Sequence, residues 1–98
     1  MGILSSIIAN VGAFFRPGMT PQQKGEALDR MAASAGEKLD WRHSVVDLMK
    51  LTQQDSGFDA RKKLAGELGK ADYTGTAIEN NWLQQQVMDR LTSRLWIG

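Results

Sequence analysis

The sequence predicts an all-α fold: a small bundle of about four helices, with an N-terminal amphipathic helix on a Pro/Gly hinge. Apolar residues recur at helical spacing along most of the chain, and no run alternates apolar and polar residues as a strand would. Both prolines lie within Pro17–Pro21, so the pattern has one obvious break. At 98 residues the chain has room for one small domain. We divide it into an N-terminal helix (1–16), a hinge (17–20) and a helical bundle domain (21–98).

The N-terminal helix carries a wide apolar stripe opposite small, uncharged residues. The stripe consists of Ile3, Leu4, Ile7, Ile8, Val11, Phe14 and Phe15. An apolar stripe of this width rarely stays in water, so we predict that it engages a protein partner, a second copy of the chain or a membrane surface. Protein contact ranks above the membrane because the segment has no charge to attract anionic lipid. The sequence leaves open whether the helix docks on its own domain instead.

Four further helices follow the hinge, each beginning at residues suited to cap a helix. These starts are Thr20–Gln23, Asp40, Ser56 or Gly57, and Thr76–Glu79. Gly36 and Gly69 are suited to end the first and third of these helices. Their apolar positions predict one contiguous core formed by Trp41, Val45, Leu48, Phe58, Leu64, Leu68, Leu83, Val87 and Leu91. The side chain of Arg61 is expected to pack beside this core and to reach an acidic partner.

The composition disfavours several classes of function. Twelve Lys and Arg balance eleven Asp and Glu, which leaves a net charge of +1 and argues against a dedicated nucleic-acid binder. With no cysteine and one histidine, the chain offers little material for a metal site, and we expect no metal and no cofactor. Asp40, His43 and Ser44 lie too close together in sequence to align easily as a catalytic triad, and pairing with Asp47 explains His43. We therefore predict that the protein is not an enzyme.

A second candidate interaction surface involves Trp82, Trp96 and Ile97. Trp82 falls on the polar side of the last helix, where it is either covered by the preceding helix or exposed as an aromatic anchor, and coverage is favoured. Trp96 and Ile97 place apolar side chains at the end of the chain, where polar residues are more usual.

The stretch from Leu39 to Leu51, with its Asp-Trp-Arg and Asp-Leu-Met-Lys strings, resembles a small bacterial helical family catalogued as domain of unknown function 3597. The resemblance continues through Ala60–Gly69 and Tyr73–Gly75 into the last helix, as far as Leu91. It implies a compact helical domain, often preceded by a short apolar N-terminus and a flexible linker. It implies no activity, cofactor or catalytic residue.

From these patterns we predict a non-enzymatic helical interaction module. The alternatives are a small ligand carrier and a weak nucleic-acid-binding helical domain, although the sequence names no small-molecule ligand. The first 15 residues are too short to span a membrane and lack the basic start of a signal peptide. The expected location is therefore cytoplasmic, with a peripheral position at the inner membrane face as the alternative.

Overall fold

Five α-helices form the regular structure of residues 2–92, the part of the chain that the computed structural model describes. They are α1 (Ile3–Gly12), α2 (Pro21–Ala33), α3 (Val45–Leu51), α4 (Phe58–Glu67) and α5 (Ala77–Thr92). α5 is about 24 Å long at 1.5 Å per residue and packs against α1, α2 and α3. α1 also packs on α4. The predicted all-α bundle with an additional N-terminal helix is confirmed.

Two helices begin at the capping boxes that the sequence predicts. At α2, the Thr20 hydroxyl accepts a hydrogen bond from the Gln23 backbone N–H (3.1 Å), and the Gln23 side chain accepts one from the Thr20 N–H (2.9 Å). At α5, Thr76 and Glu79 make the same reciprocal pair of bonds. Each box satisfies two backbone donors that a helix start would otherwise leave without partners.

The predicted start of the next helix was wrong. Asp40 does not cap α3; residues 41–43 form a turn, and Ser44 caps the helix by accepting a hydrogen bond from the Asp47 N–H (3.2 Å). The cause is tertiary, because the buried Trp41 donates its indole N–H to Asp29 on α2 (3.2 Å). The Asp47 carboxylate accepts a hydrogen bond from the Asp40 N–H (2.8 Å) and holds the turn to α3.

One contiguous core joins all five helices. Its members are Ile7, Val11, Leu28, Trp41, Val45, Leu48, Met49, Leu51, Leu64, Ala65, Tyr73, Leu83, Val87 and Leu91. Two predicted members differ, because Phe58 is 43% exposed and Leu68 is only partly buried. Tyr73 occupies the buried position, and Phe58 stacks on its ring at 5.8 Å between centroids. Gly75 permits this arrangement, since a Cβ there would lie 3.0 Å from the Phe58 ring.

α1 is docked on its own bundle. Ile7 and Val11 are fully buried in the core. The loop over residues 13–20 then connects α1 to α2 and contains Pro17 and Gly18, whose φ of +84° is a backbone conformation that suits glycine. Of the alternatives that the sequence leaves open for α1, the structure therefore adopts intramolecular docking.

Candidate interaction surface

The seven residues of the predicted apolar stripe have three different environments. Ile7 and Val11 are core residues. Four more are partly buried against the core: Ile3, Leu4, Ile8 and Phe15. Phe14, which follows the end of α1, is 54% exposed. The structure therefore uses most of the stripe for intramolecular packing and leaves one aromatic side chain of the stripe largely in solvent.

A carboxylate from α4 caps the N-terminal end of α1. Glu67 accepts hydrogen bonds from the backbone N–H groups of Ile3 (2.8 Å) and Leu4 (2.9 Å). A negative charge at this position also complements the positive end of the helix dipole. Gly2 makes the approach possible, because a Cβ there would lie 2.6 Å from Glu67 Oε1.

Further contacts hold the C-terminal part of α1 and the loop that follows it. The Asn10 side-chain amide donates a hydrogen bond to the backbone carbonyl of Thr52, at 2.6 Å. Phe15 lies beneath the ammonium group of Lys24, which is 5.6 Å from the ring centroid. Cations over aromatic faces are attracted electrostatically. α1 is thus tied to α4, to the end of α3 and, through Phe15, to α2.

The C-terminal part of α1 forms one wall of a groove of about 580 Å³, which we call the Phe14 groove. Its lining consists of Asn10, Phe14, Arg30, Met31, Ser34, Ala35, Glu37, Leu39, Lys50, Leu51 and Gln53. Met31, Leu39 and Leu51 contribute apolar surface continuous with the core. Exposed Arg30 and Lys50 outnumber exposed Glu37 in the lining, so the charge of the groove is positive.

Sequence reasoning identified Phe14 but missed the groove. Part of the signal is present in the sequence, since Met31 lies at helical spacing from Ala27 and Leu28, and Leu39 and Leu51 are the two ends of the stretch that carries the family resemblance. The sequence does not show that the ends of α1, α2 and α3 lie side by side, because this depends on the direction in which α1 crosses the bundle.

The candidate catalytic residues have structural roles. His43 Nδ1 lies 3.0 Å from Asp40 Oδ1, so the predicted pairing of His43 with Asp47 was wrong. The Asp47 carboxylate is instead bonded to the Asp40 N–H, and the Ser44 hydroxyl accepts the Asp47 N–H at the start of α3. The three residues of the candidate triad therefore organise a turn and a helix cap.

Arg61 packs beside the core as predicted, but its partners are neutral. Its guanidinium donates to Tyr73 Oη (3.2 Å), Asn80 Oδ1 (3.1 Å) and the backbone carbonyl of Ser56 (3.2 Å). Tyr73 also donates its hydroxyl to Asn80 Oδ1. The prediction that Arg61 reaches an acidic partner was wrong, because its guanidinium bonds the neutral side chains of Tyr73 and Asn80 instead.

Of the second candidate surface, only Trp82 lies among the described residues. It is partly buried and packs against the core. Trp96 and Ile97 lie outside the described residues.

The carboxyl group of Glu79, at the start of α5, has a strongly lowered pKa. The pKa of Glu79 falls from 4.5 to about 2, chiefly because the Thr76 N–H donates a hydrogen bond to its carboxylate. Burial opposes this shift, while hydrogen bonds from Thr74 and from the Thr76 hydroxyl add to it. Lys70 Nζ lies 3.6 Å from the same carboxylate. Glu79 therefore acts as a capping group that stays ionised well into the acid range.

Within residues 2–92, no group of three or more His, Cys, Asp or Glu side chains is arranged to hold a metal ion. None of the helices in the same range has both the length and the apolar character needed to cross a bilayer.

Comparison with known proteins identifies one family. A family model described as "Domain of unknown function (DUF3597)" matches residues 10–94. The resemblance noted in the sequence is thereby confirmed, over a longer range than the strings that carry it. No curated protein and no solved structure matches the chain.

Proposed function

Because the chain belongs to the DUF3597 family, whose description names no activity, we propose its function from geometry: it is a non-enzymatic helical module that binds a protein partner in the Phe14 groove. The observation that carries the proposal is Phe14 itself, 54% exposed at the wall of a groove whose lining is partly apolar and partly charged. Exposed aromatic side chains beside apolar clefts often supply much of the binding energy of protein interfaces.

The groove favours a short peptide segment with a bulky apolar anchor and acidic neighbours. Its volume of about 580 Å³ accommodates one or two large side chains, which Met31, Leu39 and Leu51 would contact. Arg30 and Lys50 on the lining would attract carboxylates on either side of the anchor. An amphipathic helix laid in a groove is a common form of this recognition.

The contribution of α1 to this proposal is narrower than the whole stripe. In the docked state, Ile7 and Val11 are buried and only Phe14 is largely exposed. We therefore assign partner binding to the C-terminal end of α1, and membrane binding becomes the competing outcome that requires α1 to leave the bundle.

The test is selection of random displayed peptides on the immobilised full chain, followed by binding measurements with variants. Enriched peptides should share an aromatic or leucine anchor near Asp or Glu. Phe14→Ala should weaken their binding at least several-fold, and Lys50→Glu should weaken the acidic ones. The matched control is Phe58→Ala, which removes a half-exposed phenylalanine outside the groove and should leave binding unchanged.

Two results would contradict the proposal. The first is that no peptide is enriched or that Phe14→Ala and Phe58→Ala bind equally well. The second is flotation of the chain with phosphatidylglycerol vesicles, without peptide binding, which would favour the membrane alternative.

A small ligand carrier is the second candidate, because the volume of the Phe14 groove also falls in the range of ligand pockets, roughly 300–1,000 Å³. Thermal-shift measurements with small carboxylic acids that carry an apolar tail distinguish a ligand carrier from a peptide-binding module. Stabilisation by such compounds that is lost in Phe14→Ala, in the absence of peptide binding, would favour the carrier.

A further inference from the structure

We propose that α1 is exchangeable between copies of the chain, so that α1 of one copy occupies the α1 site of another and links the two as a swapped dimer. We call the surface of the bundle that receives α1 the α1 site. The inference goes beyond the Phe14 groove, since it concerns the buried side of α1 and names a second copy of this chain as the partner.

The α1 site is known to fit α1, because the structure shows it filled by that helix. Ile7 and Val11 are fully excluded from solvent in it. Glu67 caps the first N–H groups of α1, and Asn10 bonds the Thr52 carbonyl. All these contacts come from residues before the connecting loop. They would therefore form equally well if α1 arrived from another copy.

The connecting loop decides which copy supplies α1. Residues 13–20 lie between α1 and α2, and Arg16, Pro17 and Gly18 within them are exposed. Fully extended, this stretch would reach about 26–29 Å at 3.3–3.6 Å per residue. That reach exceeds the shortest dimension of the molecule, 23 Å, so α1 can extend past its own bundle towards an adjacent copy. Thr20, which precedes Pro21, already has extended backbone in the docked form, so it can keep its conformation when the loop opens.

Mass action sets when exchange is observed. A short flexible linker holds its ligand at an effective concentration in the millimolar range, so intramolecular docking dominates in dilute solution. The swapped form competes when the chain refolds at high concentration or when the loop is too short for docking within one copy. Shortened connections are a recognised cause of such swapping.

The decisive experiment uses the absence of cysteine from the chain. Gly2→Cys places a thiol on α1, and Glu67→Cys places one on the α1 site, where a Cβ at position 2 lies 2.7 Å from Glu67 Cδ. Because that Cβ would clash with Glu67, the Gly2→Cys chain also carries Glu67→Ala. The two full-length variants are unfolded together, refolded at high concentration and oxidised. Exchange predicts a disulfide-linked heterodimer, identified by mass spectrometry, in several-fold higher yield than when the partner chain carries the exposed control Lys38→Cys together with Glu67→Ala.

A second measurement tests the loop without cysteines. Deletion of Gly18 and Met19 should convert the chain to a dimer by sedimentation, whereas insertion of Gly-Ser at the same place should keep it monomeric. Ile7→Asp in the shortened chain should abolish the dimer, because its α1 no longer fits the site.

Heterodimer yield at the level of the Lys38→Cys control would overturn the proposal, and so would a shortened chain that is folded and monomeric. Peptide binding in the Phe14 groove is measured separately on the unaltered monomer. Failure of exchange and failure of the proposed function are therefore distinguishable.

Discussion

Ile7 and Phe14 belong to the same apolar stripe in the sequence, yet they end in opposite environments. Ile7 lies two turns before Phe14 and is fully buried, whereas Phe14 is 54% exposed. The difference follows from where the helix ends, since α1 stops at Gly12 and Phe14 leaves the helical register. Position relative to the end of a helix thus decides which apolar residues enter the core and which remain for a partner.

The largest expected effect separates these two residues directly. Ile7→Asp places a carboxylate in the core, and such substitutions cost about 4 kcal/mol or more. Phe14→Asp changes a largely exposed side chain and should alter the free energy of unfolding by less than about 0.5 kcal/mol. Chemical denaturation followed by circular dichroism measures both. Equal stability of the two variants would mean that α1 does not contribute its inner face to the core.

A smaller effect is expected at the N-terminal cap of α1. Glu67→Ala removes the acceptor for the Ile3 and Leu4 N–H groups, and loss of a helix cap costs about 0.5–2 kcal/mol. Lys63→Ala, one turn earlier on α4 and exposed, is the matched control and should be near neutral. If the two variants have the same urea midpoint, Glu67 does not hold α1 in solution.

The contact near the other end of α1 should contribute less. Asn10→Ala removes the hydrogen bond to the Thr52 carbonyl, which retains a donor in the Gln54 side chain at 3.2 Å. We expect a loss of about 0.5–1 kcal/mol in the free energy of unfolding. Ser5→Ala, on the exposed side of α1, serves as the control. If Asn10→Ala leaves the free energy of unfolding unchanged, α1 is held on the bundle by its apolar contacts and its N-terminal cap alone.

The capping carboxylate of α5 provides a pH-dependent counterpart to Glu67. The pKa of Glu79 is lowered to about 2 in the folded chain. Its stabilising contribution is therefore fully present above pH 4.5 and is lost as the pH falls towards 2. Glu79→Gln should be less stable than the wild type at neutral pH, and the two should converge towards pH 2. A stability difference that does not change with pH would show that the carboxylate charge is not responsible.

The sequence predicts local features of this fold well. The capping boxes at Thr20 and Thr76 involve residues three positions apart, so their chemistry is complete within one helical turn. The apolar positions of α5 are likewise spaced along one helix, and Leu83, Val87 and Leu91 are buried as expected.

Features that depend on distant residues were not predictable in the same way. Ser44 caps α3 in place of Asp40 because Trp41 donates its indole N–H to Asp29, which lies twelve positions earlier on α2. Arg42 donates to the same carboxylate, thirteen positions from it in the sequence. Glu67 caps a helix sixty-four positions away, although nearby lysines on its own helix suggest a local pair. The Phe14 groove has the same origin, since it exists only where the ends of α1, α2 and α3 meet.

Hydrogen exchange at the α1 amides tests the central claim most directly, namely that α1 is a docked helix of the bundle with Phe14 outside the core. If α1 is docked, the backbone amides of Ile7, Ile8 and Val11 should exchange far more slowly than an unstructured peptide. Ile7→Asp should abolish the protection of these α1 amides, whereas the amides of Leu83 and Val87 in α5 should still exchange more slowly than those of α1. Exchange of the α1 amides at peptide rates in the wild-type chain would contradict the docked helix.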